Sequence, residues 1–169
     1  AKLPAVYITT ESGSMDAVHA DKSYKEAGTI RIYNEKGKTE YDGALDYIKG
    51  RGNSSWEMAK KPYNIKIAKK TNLFGMGKSK KWSLIANYSD NSHLRNAAVY
   101  YAAQHIGLDY TPKFVFCDVY TNGDYQGVYL LITRIEADSK RVDVANLDDV
   151  NEEIAIAASG NEDLDMDSL

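Results

Sequence analysis

Apolar and polar residues alternate over short runs along most of the chain, a pattern typical of half-buried β-strands. The clearest run is Tyr-Asn-Ile-Lys-Ile at residues 63–67, which places the apolar side chains on one face and the polar ones on the other. Comparable runs predict further strands at residues 3–8, 29–33, 44–49, 82–86, 114–120 and 125–133. The Asn122-Gly123 pair between the last two predicts a type I′ hairpin turn, because both residue types accept a positive φ.

One segment, residues 92–106, has helical rather than strand periodicity. Gly107 supplies a stop signal, and polar residues at 89–92 offer several N-caps. The residues that recur at helical spacing predict its buried face: Leu94, Ala98, Tyr101, Ala102 and His105. The polar segment 11–27 is predicted to be a loop. We therefore predict an α+β fold, with a mostly antiparallel sheet and one packed helix.

The charge is unevenly distributed along the chain. The net charge is −3, but from Asp143 onward there are nine acidic residues and no Lys or Arg. The remaining, mildly basic body suits a small anionic ligand but lacks the basic stripe of a nucleic-acid-binding protein. No apolar run approaches the roughly 18 residues of a membrane span. From these two observations we expect neither nucleic acid nor a membrane as a partner.

Few residues suggest nucleophilic or metal chemistry. Cys117 is the only cysteine and lies in an apolar run, so we expect a small buried side chain rather than a nucleophile. The three histidines are dispersed, which argues against a zinc site. Three acids at alternate positions in residues 163–167 could start a calcium loop, but its glycine and closing glutamate are missing. We predict no metal site.

The turn at residues 50–55 contains the ingredients of an anion site. Its two glycines allow close backbone approach, and Arg51 supplies a forked cation. Further donors follow in the same turn: Asn53, Ser54 and Ser55. From the residues alone, a plain β-turn is the commoner structure. Lys66 lies mid-strand, where it could reach phosphates as the strand lysine of kinases does, or be a solvated surface side chain.

Asp90 and Arg95 open the predicted helix. Asp90 can cap the helix, and Arg95 lies one turn further along. One interpretation is a cap with a surface arginine; the other is an ion-pair network that holds the helix against a cleft.

Several of these segments, in order, resemble the CotH kinase family. They are KGRGNSSW at 49–56, KPYNIKI at 61–67, LFGM at 73–76, WSLIANYSD at 82–90, LRN at 94–96 and YTNGDYQGVYLL at 120–131. Each is a weak signal alone, but their joint order is specific, and together with the opening strand they span about residues 3–144.

The resemblance implies a kinase-like fold that binds ATP with magnesium and phosphorylates proteins on Ser or Thr. Residues 1–144 would correspond to its N-terminal lobe, and 145–169 to an acidic tail, either disordered or the start of a second lobe. On this mapping Arg51, Asn53, Ser54, Ser55 and Lys66 bind the nucleotide. Asp90 and Arg95 organise the helix, and residues 130–135 approach the adenine. The family also implies a secreted bacterial protein of the spore coat or cell surface.

The sequence departs from the family where catalysis is expected. In family members, an acid in an Asn-x-Asp context and then a Trp-Asp-x-Asp segment follow well past these blocks, and the sequence contains no Trp-Asp-x-Asp segment. Phosphoryl transfer needs such acids, so this chain is expected to be a truncated, inactive portion with no catalytic residue of its own. The alternative is a non-catalytic module that binds a polysaccharide or protein of an extracellular assembly through Trp56, Tyr88 and Tyr125.

Overall fold

The computed structural model describes residues 2–135, which contain seven β-strands, two α-helices and two 3₁₀ turns. The strands are β1 (Ala5–Thr10), β2 (Glu26–Tyr33), β3 (Thr39–Gly50), β4 (Tyr63–Asn72), β5 (Lys78–Ile85), β6 (Phe114–Thr121) and β7 (Asp124–Thr133). The helices are α1 (Asp16–Ala20) and α2 (Arg95–His105), and the 3₁₀ turns are Ser54–Glu57 and Leu73–Gly75. These elements belong to one compact unit, Ala1–Arg134. The predicted boundary between residues 144 and 145 lies outside the described residues.

The seven strands described in residues 2–135 close into a barrel in the order β1-β2-β3-β4-β5-β7-β6. Neighbouring strands are antiparallel except β1 and β6, which run parallel with Ala5 opposite Asp118 and Ile8 opposite Thr121. The predicted α+β fold resembling a kinase N-terminal lobe is therefore wrong. Alternation within a strand reports which face is buried, but it carries no information about whether the first strand pairs with a distant one and closes the sheet.

Alternation divides each strand between the barrel interior and its outer surface. All seven strands contribute apolar side chains to the interior, and the largest of those fully buried are Trp82, Tyr63 and Tyr129. Cys117 is buried among them, and burial raises the pKa of its thiol to about 12, as fits the small buried side chain that the sequence predicts. Because the interior is filled, any ligand site in this unit has to lie on the outer surface.

Helix α2 packs on that outer surface. Ala97 forms a second apolar cluster with Leu130 and Ile132 of β7, and Tyr100 packs against it. The barrel fills its own core, so α2 covers only a narrow strip of outward-facing apolar side chains. The buried face predicted for this helix is wrong, because its five residues are all exposed: Leu94, Ala98, Tyr101, Ala102 and His105.

Two local predictions have different outcomes. The predicted loop at residues 11–27 contains α1, whose Val18 is fully buried, and also the start of β2. The predicted hairpin turn is confirmed, because Asn122 and Gly123 have φ values of 52° and 91°. Among the described residues, neither helix has the length and hydropathy needed to cross a membrane.

Candidate functional site

Two glycines fix the shape of the turn at residues 50–55. A β-carbon on Gly50 would lie 2.6 Å from the Trp56 ring, and one on Gly52 would lie 2.1 Å from the Ser55 hydroxyl oxygen. Gly52 also has a φ of +79°, which residues with a side chain rarely adopt. The turn therefore needs glycine at both positions, and Arg51 lies between them.

Arg51 carries a half-buried guanidinium with no acid beside it within residues 2–135. Its backbone N–H donates to the Pro62 carbonyl at 3.2 Å, which holds it at the start of β4. Burial is the main cause that lowers the pKa of the guanidinium; Tyr100 opposes this effect, and the charge of Arg134 adds to it. Charges removed from water are normally paired, so a half-buried guanidinium without an acid beside it is suited to an anionic ligand.

Sequence reasoning did not select Arg134 or Tyr100. Arg134 directly follows β7, whose Thr133 is paired with Trp82 of β5, and Tyr100 lies on α2. Barrel closure through β7 and the packing of α2 on the barrel bring Arg134 and Tyr100 near Arg51. The one signal that could have found Arg134 was the resemblance, which implied that residues 130–135 lie near a bound nucleotide.

Lys66 lies on the same outer surface as Arg51. Its neighbours Ile65 and Ile67 are fully buried in the barrel, so Lys66 points outward. Lys66 is opposite Tyr47 of β3, and Arg51 lies four residues after Tyr47, where its N–H donates to Pro62. Four residues of a strand span about 13 Å, which is the separation between Arg51 and Lys66 along β3. Both cations therefore border one stretch of the outer surface.

The Lys66 ammonium already has a partner. It lies 3.2 Å from Asp46, with both side chains about a third exposed. The register of β3 shifts between Leu45 and Tyr47, and this bulge turns Asp46 outward beside Lys66. An ion pair in such an exposed setting contributes little stability.

Asn64 lies between the two cations, and the buried Ser83 lies beside it. They are opposite each other on β4 and β5, and the Ser83 hydroxyl donates to the Asn64 side-chain oxygen at 2.6 Å. This bond orients the Asn64 carboxamide. Its N–H groups then have no partner within residues 2–135, so they are available as donors. We call Arg51, Arg134, Asn64 and Lys66 the phosphate surface.

The other predicted nucleotide ligands are at the exposed tip of the turn. Asn53, Ser54 and Ser55 are all exposed. The Asn53 side-chain oxygen accepts a bond from the Lys22 ammonium at 3.3 Å, and the same ammonium donates to the Gly52 carbonyl at 2.9 Å. These contacts fasten the turn, and direct binding of phosphate by the three residues stays a prediction.

Asp90 holds the start of α2. Its carboxylate accepts bonds from the backbone N–H of Arg95 at 2.8 Å and from the Ser92 hydroxyl at 2.7 Å. The Ser92 hydroxyl is the main cause that lowers the pKa of Asp90. The Arg95 side chain is 81% exposed, and its Nε lies 3.8 Å from the Asp90 carboxylate. The geometry is that of a helix cap with a weakly paired surface arginine.

The rings predicted for a binding platform do not share one environment. Trp56 is buried against His19 and Tyr63, whereas Tyr88 and Tyr125 are 50% and 56% exposed. Within residues 2–135, no three His, Cys, Asp or Glu side chains are grouped to hold a metal ion. The acids at 163–167 lie outside the described residues.

Comparison with known proteins identifies one family. The family model described as CotH kinase protein matches residues 48–167, which is most of the chain. No curated protein matches the sequence. The match includes the whole turn at 50–55 together with β4, β5 and α2, and thus every residue of the phosphate surface.

Proposed function

The chain belongs to the CotH kinase family, and from this premise we propose that the outer surface of its barrel binds the phosphate groups of ATP. The observation that carries the proposal is the half-buried Arg51 guanidinium, which feels the charge of Arg134 and has no ion pair within residues 2–135. A phosphate chain supplies the missing negative charge, and its oxygen atoms match the forked geometry of a guanidinium.

The remaining members of the phosphate surface extend this site along β4. Asn64 lies two residues from Lys66 on the same outward face, and Arg51 lies beyond it next to Pro62. A triphosphate lying along β4 meets Arg51 first, then the Asn64 N–H groups, and finally Lys66. A charged donor at each end and a neutral one between them suit a chain of phosphates better than a single small anion.

Magnesium would enter with the nucleotide. Residues 2–135 contain no group of acids that could hold a metal ion by themselves. Magnesium in nucleotide sites is bound largely by phosphate oxygens and water, so this is compatible with ATP binding. We assign no residue of the described part to the magnesium.

The activity proposed for the protein is phosphorylation of Ser or Thr hydroxyls on a protein substrate, outside the cell at a bacterial surface or spore coat. Membership of the family supports this part of the proposal. The described residues would contribute nucleotide positioning, because positioning and charge stabilisation are the main work of a phosphoryl-transfer site. No acid within residues 2–135 is assigned to orient the acceptor hydroxyl.

Isothermal titration calorimetry with ATP, with and without magnesium, tests the proposal. Arg51→Met and Arg134→Met should each weaken binding by about tenfold or more, because a hydrogen bond to a charged group contributes roughly 1.5–3 kcal/mol. Arg95→Met is the matched control, since Arg95 is 81% exposed and outside the phosphate surface. The proposal fails if the unmodified chain does not bind ATP, or if all three variants bind equally.

A second candidate function is non-catalytic binding of a polysaccharide or protein. The predicted platform of Trp56, Tyr88 and Tyr125 cannot act as a unit, because Trp56 is buried. Tyr125 instead contacts Tyr120, part of a row of tyrosines on other strands of the barrel. That row is the observation that favours a second ligand surface.

A further inference from the structure

Four tyrosines form a continuous row across the outer surface of four neighbouring strands. In order across β2, β1, β6 and the start of β7 they are Tyr33, Tyr7, Tyr120 and Tyr125. Successive ring centroids are 6.0, 4.7 and 5.1 Å apart. Four strands span about 14 Å, so the row is long enough to contact several units of a polymer. Tyr7 and Tyr125 are exposed and Tyr33 and Tyr120 are partly exposed, and contiguous apolar surface of this kind marks interaction sites.

The row borders a groove of about 670 Å³ that runs along β1. Ala5 and Thr9 of β1 and Thr29 of β2 are among its lining residues, and the turn at residues 34–37 lines it at one end. Ala5 is opposite Tyr33, so a small side chain lies beside a large ring and deepens the groove there. The volume is within the usual range of ligand sites, about 300–1,000 Å³. We call this the tyrosine groove.

The hydroxyl groups of the groove are available to a ligand. Tyr125 donates to Asp118 at 2.8 Å, but the hydroxyls of Tyr7, Tyr33 and Tyr120 have no hydrogen bond within residues 2–135. A phenol combines an apolar ring with a group that both donates and accepts. Sugar rings have the matching chemistry, because their C–H faces are apolar and their hydroxyls donate and accept. A proline-rich peptide offers mainly carbonyl acceptors and would leave the acceptor capacity of these hydroxyls unused.

The charge of the groove favours an acidic ligand. Three cations line it, Lys2, Arg31 and Lys36, against one acid, Glu35. The groove shares the mildly basic character of residues 1–142, which contain all 21 Lys and Arg residues of the chain. Arg31 lies 3.4 Å from Asp42, but both side chains are more than half exposed. Such a pair is weak, so Arg31 can turn to a ligand carboxylate and bind it through two N–H groups.

We propose that the tyrosine groove binds an acidic polysaccharide, with sugar rings against Tyr7, Tyr33 and Tyr120 and sugar carboxylates beside Arg31 and Lys36. This site shares no residue with the phosphate surface and does not rest on the proposed ATP binding. The same chain would thereby be held on an anionic glycan layer while its other surface remains open.

Affinity gel electrophoresis of the full chain tests this assignment, with polygalacturonate in the gel as the acidic polysaccharide. The chain should be retarded, and Tyr7→Ala and Arg31→Gln should each reduce the apparent affinity by about tenfold, the scale of a lost charge-assisted bond or aromatic contact. Tyr88→Ala is the matched control, because Tyr88 is 50% exposed but does not line the groove. Retardation should weaken as salt rises. Both Tyr7 and Arg31 are exposed on the outside of the barrel, so neither variant should unfold, which circular dichroism checks.

Four outcomes would overturn the proposal. The first is that polygalacturonate does not retard the chain, and the second is that it retards Tyr7→Ala and Tyr88→Ala equally. The third is that neutral hydroxyethylcellulose retards the chain as much as polygalacturonate does, and the fourth is that polyglutamate does so. The third would remove the requirement for acidic sugars, and the fourth would show that negative charge alone, rather than the sugar, is recognised. Each is independent of ATP titration, so a failure here leaves the phosphate surface untouched.

Discussion

Replacing Arg51 with methionine should stabilise the protein while it removes affinity for ATP. The guanidinium is half-buried, its pKa is lowered mainly by burial, and no acid within residues 2–135 neutralises it. A buried polar group without a partner costs about 1–3 kcal/mol of folding free energy. Because part of the group still contacts water, we take the lower end, about 1 kcal/mol. Methionine keeps a similar length of apolar side chain and removes the charge.

ATP should reverse the order of stability of the Arg51→Met variant and the unmodified protein. Without ATP, a gain of about 1 kcal/mol raises the melting temperature of a domain of this size by roughly 2–4 °C. With ATP at a hundred times its dissociation constant, the unmodified protein gains about 2.7 kcal/mol from binding, and the variant gains much less. The variant should therefore melt higher alone and lower with ATP.

Thermal denaturation with and without ATP and magnesium measures both effects, and urea denaturation gives the free energies. Arg95→Met is again the control, and it should change neither melting temperature because the Arg95 side chain is 81% exposed. If Arg51→Met unfolds more easily without ATP, the guanidinium has a structural role and the reasoning from its missing partner is refuted. If ATP stabilises the variant as much as the unmodified protein, Arg51 is not a phosphate ligand.

Four further variants test other parts of the structure. Gly52→Ala and Gly37→Ala should each lose about 1–2 kcal/mol in urea denaturation, because both glycines have positive φ. Gly52→Ala should lose more, since only its β-carbon collides with a neighbour; equal losses would contradict this. Asp90→Ala should speed amide exchange in the first turn of α2, measured by NMR, because it removes the bond to the Arg95 N–H. Burial is the main cause that lowers the pKa of His19 from 6.5, so the unfolded chain binds a proton there more readily than the folded one. The free energy of unfolding should therefore fall as pH drops below about 6.5, and His19→Gln should reduce that slope in a urea series from pH 7 to pH 5.

The sequence predicted what depends on neighbours along the chain. Alternation located β4 and its inward residues, because a side chain that faces the core must be apolar whatever the topology. The β6–β7 hairpin turn was also predicted, since acceptance of a positive φ is a property of single residues such as Asn122 and Gly123.

What the sequence did not reveal depends on packing between distant segments. Closure of the barrel rests on the parallel pairing of β1 with β6, which leaves no periodic signal in either strand. The wrong face of α2 was chosen because a helical stripe was assumed to face a core, whereas the barrel interior is complete without that helix. Arg134 was missed for a related reason: its importance lies in its neighbour Arg51, and no spacing in the sequence encodes that proximity.

Barrel closure also separates the two proposed ligand sites. The tyrosine groove centres on β1, and the phosphate surface centres on β4; in the closed order β2 and β3 lie between these two strands on one side, and β5, β7 and β6 on the other. Coupling between two sites needs an element with two arrangements whose balance both ligands change. We expect a packed, closed barrel to keep a single arrangement. Saturating polygalacturonate should therefore change the dissociation constant for ATP by less than about fivefold, the lower limit of typical allosteric coupling. Tyr7→Ala should leave ATP affinity intact, and Arg51→Met should leave gel retardation intact. A larger change in either experiment would mean that the two ligands compete for one cationic surface, and the two-site interpretation would have to be abandoned.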